Sequence, residues 1–387
     1  MRDFIDSELK GLERFGLRRQ LRWVASACGP EVDMEGRRVL QFSSNNYLGL
    51  ATHPRVKRAA ALALEKYGAG AGASRLISGS LDLHRELEEE LAGFKGAEAA
   101  LVFATGSMAN LGVLPCLAGP RDAILLDSLV HATLHDGARL SRAEVKTFRH
   151  NDLEDLRRVL EESSGAGRRL ICVDGVFSMD GDAAPLPGIV ELARRHGALT
   201  LVDEAHATGV MGPEGRGTLE HFGMDPRSVD VQIGTLSKAL GSLGGFAACS
   251  RDLRELLVNK SRSFLFATAL PAACAAAALE ALRVSREQPE IRKGLWERRA
   301  RLASRLHRMG ARTFGSVSPI LPVNLGRPEA AVEAQKALWE EGIYVPAIRP
   351  PTVPRDSCRL RVSLMATHTE AQVDRLADAL ERVLKPA

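Results

Sequence analysis

The chain has 387 residues, room for two domains or for one large domain with a smaller one appended. Hydrophobic residues at 45% and charged residues at 26% are the proportions of an ordinary globular enzyme. Lys and Arg number 52 against 48 Asp and Glu, a net +4 too balanced for nucleic acid, and no basic block with interleaved aromatics appears.

Residues 1–25 set leucines and arginines at helical spacing, which predicts an amphipathic helix within an N-terminal helix and arm over 1–45. The first ten residues are charged and lack the apolar core of a signal peptide. Apolar β-type runs then follow at 100–103, 124–126, 145–148, 170–173, 199–202, 229–233 and 246–249. Helical patterns lie between them, such as Leu83, Leu87, Leu91 and Phe94 on one face. Such runs predict an α/β fold with a mostly parallel central sheet covered on both faces, in a large domain over 46–284. Ligands in such sheets bind beyond the carboxyl ends of the strands. The Ala-rich stretch 264–279 contains Pro271 and is too short and too weakly apolar to span a bilayer. Beyond it come an arginine-rich helix (291–309), a run at 319–325, a helix at 329–341 and a run at 343–348. The turn-rich 349–354, a strand at 359–364 and a helix from Thr369 complete a smaller α+β domain over 285–387. The cysteines (28, 116, 172, 249, 274 and 358) show no C-x-x-C spacing, which argues against zinc and disulfides and predicts a reducing, cytoplasmic setting.

Few segments carry chemistry. The glycine-rich 67–75 fits neither G-x-G-x-x-G nor a P-loop and predicts a flexible loop or a close backbone approach. His131 and His135 are spaced i, i+4, but without the zincin glutamate they make no metal site; no G-x-S-x-G elbow is present. Thr105-Gly-Ser-Met-Ala-Asn (105–110) follows a strand and is either an ordinary strand–helix turn or a helix N-terminus that takes a phosphate. Thr235 and Ser237 are either helix caps or further phosphate ligands. Asp203 ends an apolar run, as a cap or as the partner of a protonated ring nitrogen. Ser178 sits in a turn after another run, and Arg361 lies in a strand, on the surface or forked onto a carboxylate. Lys238 follows a β-run among hydroxyls and glycines, where a lysine can lose hydration and act as an amine nucleophile. Lys238, Asp203 and flat imidazoles such as His131 are together what a pyridoxal phosphate site needs.

Longer matches order these residues along the chain. They are Phe-Ser-Ser-Asn-Asn-Tyr-Leu-Gly-Leu (42–50), Ser-Arg-Leu-Ile-Ser-Gly-Ser (74–80), Gly-Val-Phe-Ser-Met-Asp-Gly-Asp (175–182), Val-Asp-Glu-Ala-His-Ala-Thr-Gly-Val (202–210), Thr-Leu-Ser-Lys-Ala-Leu-Gly (235–241) and Ala-Ile-Arg-Pro-Pro-Thr-Val-Pro (347–354). From about Phe42 onward the chain resembles the α-oxoamine synthases, pyridoxal 5'-phosphate enzymes of the aspartate-aminotransferase fold (fold type I). The resemblance implies that Lys238 holds the cofactor as a Schiff base, Asp203 pairs with its ring nitrogen, His131 stacks on the ring and His206 bonds its phenolic oxygen. It puts Gly106, Ser107 and Thr235 on the phosphate with Ser178 nearby. Asn45 and Arg361 would hold an amino-acid carboxylate, and Arg19 and Thr352 would meet the acyl substrate. Two departures stand out: Asn46 where many relatives have Asp, and Ser107-Met108 where some have bulkier residues. The implied reaction is a decarboxylative condensation of L-alanine with a pimeloyl thioester of acyl carrier protein or coenzyme A, in biotin biosynthesis. The alternative is a sister synthase using glycine and acetyl-CoA or another acyl-CoA. A homodimer, no nucleic acid, no membrane and no metal complete the expectation.

Overall fold

Chain direction and strand order explain where the site lies. In the computed structural model, which describes residues 2–14 and 18–384, two strands come first, β1 (Glu31–Met34) and β2 (Arg37–Gln41). Next come β3 (Ala99–Phe103), β4 (Ala123–Asp127), β5 (Glu144–Phe148), β6 (Arg169–Asp174), β7 (Leu199–Asp203), β8 (Val231–Thr235) and β9 (Gly245–Cys249). These seven form one sheet in the order β3-β9-β8-β7-β6-β4-β5, with β9 alone antiparallel to its neighbours. The strands bury residues on both faces: Ala100, Val102, Phe246 and Ala248 join one apolar cluster, and Leu101, Phe103, Ala247 and Cys249 the other. That is why each strand reads as an unbroken apolar run rather than an alternating one.

Because β3, β4, β6, β7 and β8 are parallel, their carboxyl ends share one edge. The residues at or just past those ends, Thr105, His131, Asp174, Asp203 and Thr235, therefore converge. The antiparallel β9 begins at that edge, and an added Cβ on Gly245 would sit 2.5 Å from the Cα of Gly106. The start of β9 and the start of the helix Gly106–Leu117 are thus in backbone contact.

Three strands differ from their expected bounds or partners. The run at 229–233 shifts to β8 because Asp230 turns its carboxylate to Thr200, accepting from its N–H at 2.7 Å and its hydroxyl at 3.0 Å. The run at 343–348 splits into β11 (Ile343–Tyr344) and β12 (Ala347–Ile348), after β10 (Ile320–Gly326). Pro346 between them has no N–H to donate, and its carbonyl accepts from the Arg361 N–H at 3.0 Å. β12 pairs with β13 (Cys358–Ser363), whose other edge pairs with β10, whereas β11 pairs with β2. Residues 31–41 of the expected arm are therefore hydrogen-bonded to a segment near the C-terminus. The N-terminal helix spans Arg2–Arg14, shorter than 1–25; positions 15–17 lie outside the described residues, and Trp23–Ala25 is extended, with Val24 bridging to Met34. Among the described residues no helix is long and apolar enough to cross a membrane, and no cluster of side chains is arranged to hold a metal.

Candidate active site

A cavity of about 200 Å³ opens at the carboxyl edge of the sheet. One end is built for an anion. Thr105 caps the helix Gly106–Leu117, its hydroxyl accepting from the Met108 N–H at 3.1 Å. The N–H groups of Gly106 and Ser107 are left without intrahelical partners at the positive end of the helix dipole. Thr235 and Ser237 add two hydroxyls 2.6 Å apart, and Thr235 is fixed by donating to the Gly244 carbonyl at 3.0 Å. No helix follows Thr235 or Ser237, so neither is a cap.

Across the cavity stands Asp203. Its carboxylate accepts from the Asn110 amide at 2.8 Å and from the Ala205 N–H at 2.9 Å. The second hydrogen on Asn110 Nδ2 reaches the Thr133 hydroxyl at 2.9 Å, which lies 2.8 Å from His131 Nδ1. His131 Nδ1 also accepts from the Thr133 backbone N–H at 3.3 Å, so the Thr133 hydroxyl, which accepts from Asn110, donates to it and the imidazole proton stays on Nε2. Desolvation holds the His131 ring below its ordinary value, with Asp203 working in the opposite direction. The remaining oxygen of Asn110 is buried without a partner. Beside Asp203, burial and the neighbouring Asp203 charge push Asp174 well above the usual carboxylate range; Asp174 accepts from the His131 N–H at 3.2 Å.

Lys238 enters from the turn after β8. Burial lowers its ammonium to about 8, Asp203 and Asp174 favouring the charge and Arg361 opposing it. An amine in that range is a usable nucleophile and base at neutral pH. Its Nζ lies 2.8 Å from His206 Nε2, and His206 Nδ1 lies 2.7 Å from the Tyr47 hydroxyl. Burial, with Lys238 alongside, keeps His206 neutral, its pKa well below the ordinary histidine value. Tyr47 donates on to Asn45 Oδ1 at 3.2 Å, and both terminal nitrogens of Arg361 reach that same oxygen at 3.3 Å. A chain of five side chains therefore links the amine to a guanidinium.

Arg361 is held by the Ser178 carbonyl at 2.6 Å and the Ser363 hydroxyl at 2.8 Å, which leaves its Nη2 edge with the single long contact to Asn45. The neighbouring Arg359 is committed elsewhere, to the Asp180 carboxylate and the face of Phe314. Ser178 does not line the cavity; its carbonyl is turned to Arg361, which places it at the guanidinium end rather than beside the phosphate positions. Arg19 and Thr352, 333 positions apart, meet at 3.4 Å on the surface. Sequence reasoning missed Asn110, Thr133, Tyr47 and Asp174. Asn110 and Tyr47 lie inside quoted motifs, and Asp174 ends an apolar run as Asp203 does; Thr133 carries no such signal.

The residues fit pyridoxal phosphate: an anion cradle, a carboxylate opposite it, and a desolvated amine between them. Comparison with known proteins agrees. A family model described as aminotransferase class I and II matches residues 37–380. The 8-amino-7-oxononanoate synthase of Geobacter sulfurreducens is 50% identical over 383 residues, covering 98% of this chain and 98% of its own. The chain belongs to the α-oxoamine synthases of the aminotransferase class I and II family. An enzyme of the same name from Anaeromyxobacter dehalogenans is 50% identical over 99% of this chain and 96% of its own. Among solved structures, the Sphingomonas wittichii serine palmitoyltransferase superposes with a TM-score of 0.92 at 36% identity, over 98% of this chain and 96% of that one. An 8-amino-7-oxononanoate synthase from Francisella tularensis gives 0.78 at 26% identity, over 89% and 97%. The α-oxoamine synthase fold here is the aspartate-aminotransferase-like type I fold of pyridoxal-phosphate enzymes, as the sequence predicts.

Proposed function

We propose that this chain condenses L-alanine with a pimeloyl thioester to give 8-amino-7-oxononanoate, carbon dioxide and a free thiol carrier, in biotin biosynthesis. The observation that carries this reading is near-half identity, end to end, with several proteins of that name. The geometry supports it, because amine and carboxylate line one cavity and a chain of hydrogen bonds runs from the amine to the Arg361 guanidinium outside the cavity lining.

Pyridoxal phosphate would be held by Gly106, Ser107 and Thr235 at its phosphate, Asp203 at its ring nitrogen, His131 on its ring and His206 at its phenolic oxygen, with Lys238 at its aldehyde carbon. When bound it supplies an electron sink for charge at the amino acid's Cα. The chain's own residues do the rest. Arg361 and Asn45 take the alanine carboxylate, which fixes the Cα–H bond relative to Lys238. The Lys238 amine removes that proton, oriented by His206. A bond forms between Cα and the thioester carbonyl carbon as the carbon–sulfur bond breaks, and the departing thiolate takes a proton from solvent. The carboxylate then leaves as carbon dioxide, and Lys238 Nζ returns a proton to Cα. Arg19 and Thr352 would meet the acyl chain or its carrier, either acyl carrier protein or coenzyme A. In this reading residues 46–284 hold the cofactor and 285–387 supply Arg361 and Thr352. The six free thiols suit a cytoplasmic setting.

The test is product identity. Alanine, glycine and serine are crossed against pimeloyl, acetyl and palmitoyl thioesters, and products are weighed by mass spectrometry. Alanine with the pimeloyl thioester is expected to dominate; glycine with a short acyl-CoA dominating would transfer the chain to the sister activity.

The same reading makes the protein a homodimer with its sites near the subunit boundary. Leu243 lines the cavity and is 44% exposed, and Leu76, Ile77 and Phe266 are 52%, 81% and 72% exposed. The last three flank the Ser74–Thr268 bridge. Side chains built at Gly68, Gly70 and Gly72 would meet nothing within 4 Å, so this loop has room for another backbone. Sedimentation at assay concentration is expected to give a dimer; a fully active monomer would refute it.

A further inference from the structure

Outside the cavity, His150 sits between two carboxylates. Its Nδ1 is 3.0 Å from Asp127 Oδ1, and its Nε2 is 2.9 Å from Asp182 Oδ2. An ionised carboxylate only accepts, so each ring nitrogen must donate, and a neutral imidazole would set one lone pair against an anion. The Asn151 amide is 3.3 Å from Nε2 but 2.8 Å from Asp182 Oδ2, so it serves the carboxylate first. Burial opposes a charge here, and the two carboxylates outweigh it, raising His150 to about 10.

The two carboxylates belong to different turns. Asp127 ends β4 and also accepts from the N–H groups of Leu129 and Asn151, each at 2.8 Å. The turn hung on it leads directly into His131. Asp182 closes the other turn, in which Phe177 donates to the Asp182 carbonyl at 3.0 Å. The Phe177 ring meets His150 edge-on, with centroids 4.4 Å apart. The tip of that turn carries the Ser178 carbonyl that fixes Arg361 and the Asp180 carboxylate that engages Arg359.

We propose that His150 is a positioning residue, an imidazolium strut that joins the turn presenting His131 to the turn aiming Arg361, and so sets affinity for the amino-acid substrate. Nothing in the proposed condensation uses it, since both its ring nitrogens are taken up by Asp127 and Asp182. The inference rests on the reading of Arg361 as the carboxylate clamp. Without the imidazolium, Asp127 and Asp182 face each other uncompensated, and Asn151, donating from its N–H to Asp127 and from its amide to Asp182, is left to tie the Ser178 turn to β4.

The test uses holoenzyme with His150→Gln, His150→Phe and Asp182→Asn, with Arg361→Ala alongside. Alanine is titrated against the cofactor's absorbance, and the KM for the acyl thioester is measured separately. The alanine dissociation constant is expected to rise roughly tenfold in both His150 variants while the thioester KM stays within about twofold and the cofactor stays bound. An unchanged alanine constant, or a thioester KM rising in the same proportion, overturns the strut. If Arg361→Ala also leaves alanine binding intact, the clamp itself fails; if Arg361→Ala weakens binding and the His150 variants do not, only the strut fails. Should the variants not fold, nitrogen-15 histidine spectra of the unaltered holoenzyme decide: two ring N–H protons on His150 at pH 8 support the strut, and one overturns it.

Discussion

Lys238→Ala is expected to leave the fold standing and turnover at background, a fall of roughly 10⁴-fold, the upper end of what a positioned acid–base group contributes. The fold should survive because Lys238 is in a turn, with its one side-chain hydrogen bond to His206 and no place in either apolar cluster. The chemistry should not survive because no other amine lines the cavity. Borohydride should fix the cofactor to the unaltered chain at Lys238 and release it unmodified from the variant. Fixation at another lysine of the variant would show that the amine has been misassigned. A pH test accompanies this. With the ammonium lowered to about 8, the free base increases as pH rises through that value. Capture of added pyridoxal phosphate by the cofactor-free protein should therefore speed up between pH 7 and 9. It should level off near pH 9, and a rate still climbing steeply there, as a solvated lysine of pKa about 10.4 gives, would contradict the desolvated amine.

Arg361→Ala should cost binding rather than cofactor retention. A bidentate guanidinium–carboxylate contact in a sheltered site contributes about 1.5–3 kcal/mol, which corresponds to roughly ten- to a hundredfold or more in the alanine dissociation constant. Arg361→Lys keeps the charge but loses the planar fork, and with it the Ser178 and Asn45 contacts that aim the group, so rescue should be partial. Titration of the holoenzyme with alanine, followed by absorbance, measures this directly. The neighbouring Arg359 is no substitute, because it is already engaged by Asp180. Unchanged affinity would point instead to Arg349, half-buried in the loop that carries Thr352.

Much of the scaffold is legible in the chain because the sheet is buried on both faces. Each strand is then a short apolar run, and a polar residue ending a run, such as Asp203, marks the edge where ligands bind. Lys238 stands out for the same reason, as a charge set among residues that cannot solvate it. What sequence does not disclose is pairing across distance. Asn110 meets Asp203 across 93 positions and Tyr47 meets His206 across 159, and no periodicity encodes either contact. The split of 343–348 between two sheets is likewise a tertiary outcome: β11 is drawn to β2, which lies about 300 positions upstream. Ser178 illustrates a finer limit, since its motif locates the turn but not which of its groups, hydroxyl or carbonyl, faces the site.

In the proposed reaction amine, clamp and cofactor act together in one decarboxylative condensation. Its most direct test is a carbon balance with alanine labelled at the carboxyl carbon, given with a pimeloyl thioester to the holoenzyme. Labelled carbon dioxide and free thiol should appear in equal amounts, and neither should appear when the other substrate is withheld. Thiol without carbon dioxide would mean simple thioester hydrolysis. Label retained in pyruvate would mean transamination, and either result would contradict the proposed reaction.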